Sequence, residues 1–158
     1  MHILPLAGSH DRRQFDCGRV ELNDWLARVA RQHQDKGLSR TYVAADEIVP
    51  AIILGYYALT LADLDTTELP TAARKRFPRR VPGIRLGRLA VSVARQGKKL
   101  GELLLVDALE RARRVSEQAG GVGLFVDAID ERAAGFYRRF GFVNAPEHPL
   151  LLFFPLDF

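Results

Sequence analysis

The chain has one cysteine, Cys17, so no internal disulfide can form. No apolar run approaches the length needed to cross a bilayer. The opening residues, M-H-I-L-P-L-A-G-S-H, lack the charged start and long apolar core of a secretion signal, and a cytoplasmic location is expected. Internal repeats and low-complexity linkers are absent. Four histidines (His2, His10, His33 and His148) are scattered, each reads as surface or core, and no general base stands out. Cys17 has no basic neighbour beyond Arg19 and reads as a small buried residue, and no metal is expected. What remains is an ordinary globular balance, 47% apolar and 27% charged. At 158 residues it suits one domain, 1–158, with a real core. The net charge of +4 is modest, so its distribution matters more than its size.

Periodicity outlines an α/β order. A short strand is expected at 2–6. A helix is expected over 19–34, with Val20, Leu22, Trp25, Leu26, Val29 and Ala30 on one face, Asp16 or Gly18 as its cap and Gly37 as its stop. Strands at 41–45 and 51–61 flank a turn beginning at Asp46-Glu47, which makes a hairpin. A short helix at 70–77 is broken by Pro78 and Pro82. A strand at 84–93 feeds a helix over 99–118, with Leu103, Leu104, Val106, Ala108, Leu109 and Ala112 inward and Gly120-Gly121 as its stop. A strand at 122–128, a helix at 131–140 and a strand at 150–154 complete the chain. One strand–helix–strand crossover among the other strands implies an α/β sheet of mixed directions.

The most informative stretch is L-G-R-L-A-V-S-V-A-R-Q-G-K-K-L-G at 86–101. A β-branched, apolar run ends in a polar, glycine-bearing turn that opens a helix. Strand, glycine turn and helix N-terminus together bind phosphate groups through free N–H groups and the helix dipole. Lys98 and Lys99 add positive charge. The spacing is neither G-x-G-x-x-G nor G-x-x-x-x-G-K-[ST]. A second charged feature is residues 74–88, with seven basic side chains (Arg74, Lys75, Arg76, Arg79, Arg80, Arg85 and Arg88) and no acid. One reading is a solvated loop, the other a surface for nucleic-acid phosphates, with RNA shape or backbone favoured because no base-reading motif is present. Arg28, Arg31, Lys36 and Arg40 could extend it.

The turn Gln96-Gly97-Lys98-Lys99-Leu100-Gly101 resembles the Q/R-x-x-G-x-G/A pyrophosphate turn of the GNAT N-acetyltransferases, with Lys99 in place of the first motif glycine. That side chain could crowd the pyrophosphate or pair with it. F-D-C-G, L-N-D-W-L, G-Y-Y-A-L, L-G-R-L-A-V and F-Y-R-R-F-G-F, in this order, are similar to the acetyltransferase toxins of bacterial toxin–antitoxin pairs, and the likeness spans nearly the whole chain. The resemblance implies a GNAT acyltransferase fold: a mixed central sheet with a splayed strand pair, flanked by helices. It implies acetyl-CoA as cosubstrate, held by Leu89, Ala90 and Val91 as an added strand would be, and by Gln96, Gly97, Lys98, Lys99, Leu100 and Gly101. It gives Tyr137 of F-Y-R-R-F-G-F the role of general acid to the leaving thiolate, beside phenylalanines 136, 140 and 142 read as a buried stripe. A phenol, titrating at about 10, is protonated at neutral pH and suited to that task. Relatives commonly have an acid after L-A-V where this chain has Ser92.

The toxins acetylate the α-amine of the amino acid on charged tRNA and so stop translation. An α-amine, titrating at about 7.7–8.0, is easier to use without a base than lysine at about 10.4. The resemblance further implies a small ribbon-helix-helix antitoxin and a homodimer. Two other readings stand beside it: an acetyltransferase of a small amine or protein N-terminus, and a non-catalytic CoA-binding or nucleic-acid-binding module.

Overall fold

The computed structural model describes residues 2–156. In chain order its elements are β1 (His2–Pro5), α1 (Val20–Arg28), α2 (Ala30–Asp35), β2 (Arg40–Ala45), β3 (Ile53–Asp65), α3 (Thr71–Arg74), β4 (Arg80–Val91), α4 (Leu100–Ala119), β5 (Gly123–Asp127), α5 (Glu131–Arg139), β6 (Val143–Ala145) and β7 (His148–Pro155). The strands form one sheet in the order β1-β2-β3-β4-β5-β7-β6. β1, β2 and β3 run antiparallel in sequence, as do β5, β7 and β6. β4 and β5 are parallel, with α4 as their crossover. This is the mixed sheet with flanking helices that the sequence implies.

The chain divides into two compact units, Met1–Thr60 with Gly87–Ala108, and Leu61–Leu86 with Leu109–Phe158. In the first, Trp25 stacks on Tyr56 with centroids 6.1 Å apart, and Phe15 meets Tyr56 edge-on at 5.4 Å. Leu26, Ala30, Val43, Ile53 and Ala90 pack around them. The Tyr56 hydroxyl donates to the Leu22 carbonyl at 2.7 Å, which satisfies its polar end in the core. Gly55 lets α4 close in: a Cβ there would lie 2.8 Å from Leu104 Cδ1 and 3.0 Å from the Ala90 carbonyl oxygen. In the second unit, Phe125 and Phe153 meet at 4.7 Å among Leu64, Leu69, Val81, Ala145 and Leu151.

Several expectations need correcting. The helix expected over 19–34 is two helices, α1 and α2, meeting at β-branched Val29 (φ −116°). Neither Asp16 nor Gly18 is its N-cap residue, which is Arg19. The turn at Asp46 is as expected, with its Oδ1 accepting from the N–H groups of Ile48 and Val49. β4 starts at Arg80, so much of the basic run is strand rather than loop. Within β4 the Pro82 carbonyl accepts from Val122 N–H at 2.9 Å. On α4, Leu105 is buried, while Leu103 and Val106 are about half exposed. β6 is a three-residue strand, too short to show an alternation, and it pairs with a longer β7 than expected.

Candidate active site

The glycine-bearing turn expected to hold a phosphate lies in the first unit. β4 ends at Val91, a 3-10 turn covers Val93–Arg95, and Gln96 to Lys99 lead into α4. Gly97 has φ +76° and Lys99 φ +65°, and Lys99 is the only non-glycine in the left-handed region among the described residues. Lys99 thus takes up a left-handed conformation that glycine adopts most readily, with its side chain exposed. Left-handed residues at 97 and 99 shape the kind of backbone concavity that receives anions. Beyond them the first N–H groups of a 20-residue helix have no intrahelical acceptor. Lys98 and Lys99 are exposed and without an ion-pair partner among the described residues. This arrangement fits a pyrophosphate. Leu100 and Ala90 are core residues, while Leu89, Val91 and Gly101 are half-buried.

The Gln96 side chain braces the turn from within. Its Nε2 donates to the carbonyls of Cys17 and Val91, both at 3.0 Å. Val93 N–H donates to the Asp16 carbonyl and Ser92 N–H to the Leu54 carbonyl, both at 2.9 Å, and Arg95 meets Asp46 at 3.5 Å. The turn is therefore braced by the F-D-C-G segment, by β3 and by the hairpin loop. Asp16, Asp46 and Arg95 were not among the expected site residues; their sequence signals were the F-D-C-G motif, the turn at Asp46-Glu47 and the stretch 86–101 respectively. Burial pushes the Cys17 thiol up, as suits a structural residue. His10 likewise serves structure: its Nδ1 accepts from Ala7 N–H at 3.0 Å.

The parallel register of β4 with β5 spans Ile84↔Leu124, Arg85↔Phe125 and Leu86↔Val126. β4 itself continues through Leu89, Ala90 and Val91.

Tyr137 lies in the second unit on α5, whose start is capped by Asp130 accepting from Ala133 N–H at 2.8 Å. Its ring is buried, edge-on to Phe136 at 5.3 Å and tilted against Phe142 at 5.4 Å. Phe142 is buried, but Phe136 and Phe140 are half-buried, so the expected stripe is only partly core. Among the described residues none hydrogen-bonds the Tyr137 hydroxyl, and that oxygen is not one of the fully enclosed unpartnered atoms, Ser39 Oγ and Thr41 Oγ1. Burial pushes the phenol well above its ordinary value, so it stays a neutral donor through the physiological range.

The basic run is less bare than its sequence. Arg80 pairs with Asp63 at 2.9 Å and Asp65 at 3.9 Å, Arg79 meets Asp65 at 3.6 Å, and Arg85 pairs closely with Asp127. Those acids come from β3 and β5, out of reach of a reading along 74–88. Arg88 is half-buried, its guanidinium 4.3 Å from the Trp25 ring centre, and has no carboxylate partner among the described residues. Arg74 Nη2 donates to Thr71 Oγ1 at 3.1 Å, and Arg76 lies over Phe77. Lys75 is exposed. Among the described residues no group of three His, Cys, Asp or Glu could hold a metal ion, and no helix is long and apolar enough to cross a membrane.

Residues 37–144 match the acetyltransferase (GNAT) domain family. A tRNA-acetylating toxin of Mycobacterium tuberculosis is 32% identical over 147 residues, 93% of this chain and 87% of the relative. The structure of AtaT complexed with acetyl-methionyl-tRNAfMet superposes with a TM-score of 0.89 at 33% identity, covering 98% of this chain and 94% of that one. A mutant AtaT bound to the C-terminus of the antitoxin AtaR and acetyl-CoA superposes with a TM-score of 0.81 at 31% identity, covering 98% and 92%. Sequence and fold agree: the chain belongs to the GNAT acetyltransferase family and is related within it to the tRNA-acetylating toxins.

Proposed function

We propose that the protein transfers acetyl from acetyl-CoA to the α-amine of an amino acid carried on tRNA, and that it is a toxin that blocks translation in this way. The observation that carries this reading is the likeness, over 98% of the chain, to AtaT holding acetyl-methionyl-tRNAfMet. Acetyl-CoA supplies the thioester. Lys98, Lys99 and the N–H groups at the start of α4 hold its diphosphate. Backbone N–H and C=O groups at Leu89, Ala90 and Val91 bind the pantetheine arm, and one N–H polarises the thioester carbonyl. Gln96 positions this turn rather than touching phosphate. The amine attacks the carbonyl carbon, the C–S bond breaks, and the Tyr137 hydroxyl donates to the departing sulfur.

Arg74, Lys75 and Arg88 are the better candidates for tRNA phosphates, because Arg79, Arg80 and Arg85 already meet carboxylates. The whole chain acts as one GNAT domain in the cytoplasm, as a homodimer silenced by a ribbon-helix-helix antitoxin. The AtaR complex of a relative supports an antitoxin partner. A second reading, a small amine or protein N-terminus as acceptor, draws support from the same ion pairs, which leave fewer arginines for a polyanion. Incubation with labelled acetyl-CoA and charged tRNA separates the two. The proposal expects acid-precipitable label in tRNA that vanishes when the tRNA is deacylated first; label only in small amines or protein favours the second reading.

A further inference from the structure

Arg88 stands in β4 directly before Leu89, Ala90 and Val91, which hold the pantetheine arm in the function proposed above. All four residues belong to the first unit, as do α1 and Tyr56. Successive side chains of a strand point to opposite faces, so Arg88 and Ala90 share one. Ala90 packs in the core with Trp25 and Tyr56, which makes this the face that α1 covers. There the Arg88 guanidinium lies 4.3 Å from the Trp25 ring centre. An exposed arginine is satisfied by water and a buried one by a carboxylate; Arg88 has neither in full. It is half-buried, and among the described residues it meets no carboxylate and donates no hydrogen bond. Burial lowers its pKa, and the ionisable group that opposes this is the Tyr56 phenol. Burial keeps that phenol neutral, and its hydroxyl already donates to the Leu22 carbonyl. The guanidinium stays charged, and the ring below it leaves its N–H edge without an acceptor.

Other charges of the first unit that flank this strand end are committed. Arg95 meets Asp46 at 3.5 Å, and Lys98 and Lys99 serve the cofactor diphosphate in the same proposal. Arg74 and Lys75 belong to the second unit. Arg88 is the basic residue that the sequence places nearest the thioester, its Cα about 3.8 Å from that of Leu89. Charged tRNA presents a matching anion. Its amino acid is esterified to the terminal ribose, and the 5′-phosphate of that same nucleotide is the anion nearest the α-amine. An amine brought to the thioester therefore brings one phosphate towards this strand, whereas a small amine or an amino-acid amide brings none. A guanidinium on an aromatic face grips a phosphate through two parallel N–H bonds.

We infer that Arg88, held over Trp25, binds the phosphate of the acceptor's terminal nucleotide and so selects an aminoacyl nucleotide over a bare amine. The inference deepens the acceptor reading above and rests on it. Arg88 acts by binding and sets specificity; it takes no proton and touches none of the reacting atoms.

The test uses the full chain and two minimal acceptors, 3′-O-aminoacyl-adenosine with and without a 5′-phosphate, made with an amino acid whose charged tRNA the protein acetylates. In wild type the phosphate should raise kcat/KM about tenfold or more, as charge-assisted hydrogen bonds do. In Arg88→Gln that ratio should fall close to unity. In Arg88→Lys, which keeps the charge without the paired geometry, it should fall between the two. An unchanged acetyl-CoA Kd by calorimetry shows that the variants are folded. A wild-type ratio near unity overturns the inference without any variant, and an undiminished ratio in Arg88→Gln overturns it with one. Wild type that acetylates glycinamide and no charged tRNA defeats the acceptor reading and this inference with it, a result distinct from either.

Discussion

Lys99 occupies a glycine's backbone position and adds a charge, and three substitutions separate these effects. A side chain in the left-handed region costs about 1–2 kcal/mol, whereas glycine loses about 0.5–1 kcal/mol of backbone freedom on folding. At φ +65° the first effect exceeds the second, so Lys99→Gly should stabilise the protein slightly. For a chain of 158 residues this raises Tm by about 1–4 °C. Lys99→Ala keeps the strain and should leave Tm nearly unchanged. Acetyl-CoA affinity should move the other way. One unit charge about 4 Å from another in water changes an equilibrium about fivefold. The Kd should therefore rise about fivefold in Lys99→Gly and Lys99→Ala, and about 25-fold in Lys99→Glu, at low salt. These differences should shrink at physiological ionic strength, where the screening length is about 8 Å. Differential scanning calorimetry and isothermal titration at two salt concentrations provide the measurements. Equal Tm for the Gly and Ala variants refutes the strain argument, and an unchanged Kd across all three means the side chain points away from the diphosphate.

Tyr137→Phe should keep acetyl-CoA affinity and lower kcat about 10²–10⁴-fold; near-normal kcat returns Tyr137 to the core. Because burial raises its pKa, the donor form persists with rising pH, and kcat should show no alkaline decline from this group below about pH 10. Gln96→Leu should raise KM for acetyl-CoA more than it lowers kcat, since it releases the brace to Cys17 and Val91; an unaffected KM removes that role. Neutralising Arg74 and Lys75 should flatten the salt dependence of tRNA binding by about 0.7–0.9 per lost contact, whereas Arg79→Gln/Arg80→Gln should flatten it less. Equal slopes for the two pairs show that the carboxylates of Asp63 and Asp65 do not decide which arginines are available.

Strand β4, the turn after it and helix α4 were legible because apolar alternation, Gly97 and the α4 period all lie within one short stretch. Tyr137 was singled out by the likeness of F-Y-R-R-F-G-F to a family motif, whereas its phenylalanine neighbours alone point to packing. The state of the basic run was not, because the acids that neutralise it lie on β3 and β5, 15 or more positions from Arg80 or Arg85. Lys99 reads as charge, and nothing in its side chain reports a left-handed backbone. Gln96 reads as a motif residue, while its partner Cys17 stands 79 positions away. β6 was missed because three residues cannot show a period, and with it went the first two residues of its partner β7.

The central claim is the position acetylated. Charged tRNA treated with the protein and acetyl-CoA is digested with nuclease, and the released aminoacyl-adenosine is analysed by mass spectrometry. The account predicts one acetyl group on the amino-acid nitrogen, and none in tRNA whose α-amine was blocked beforehand. An acetyl group on a nucleobase, or unmodified aminoacyl-adenosine alongside full turnover of acetyl-CoA on a small amine, contradicts it.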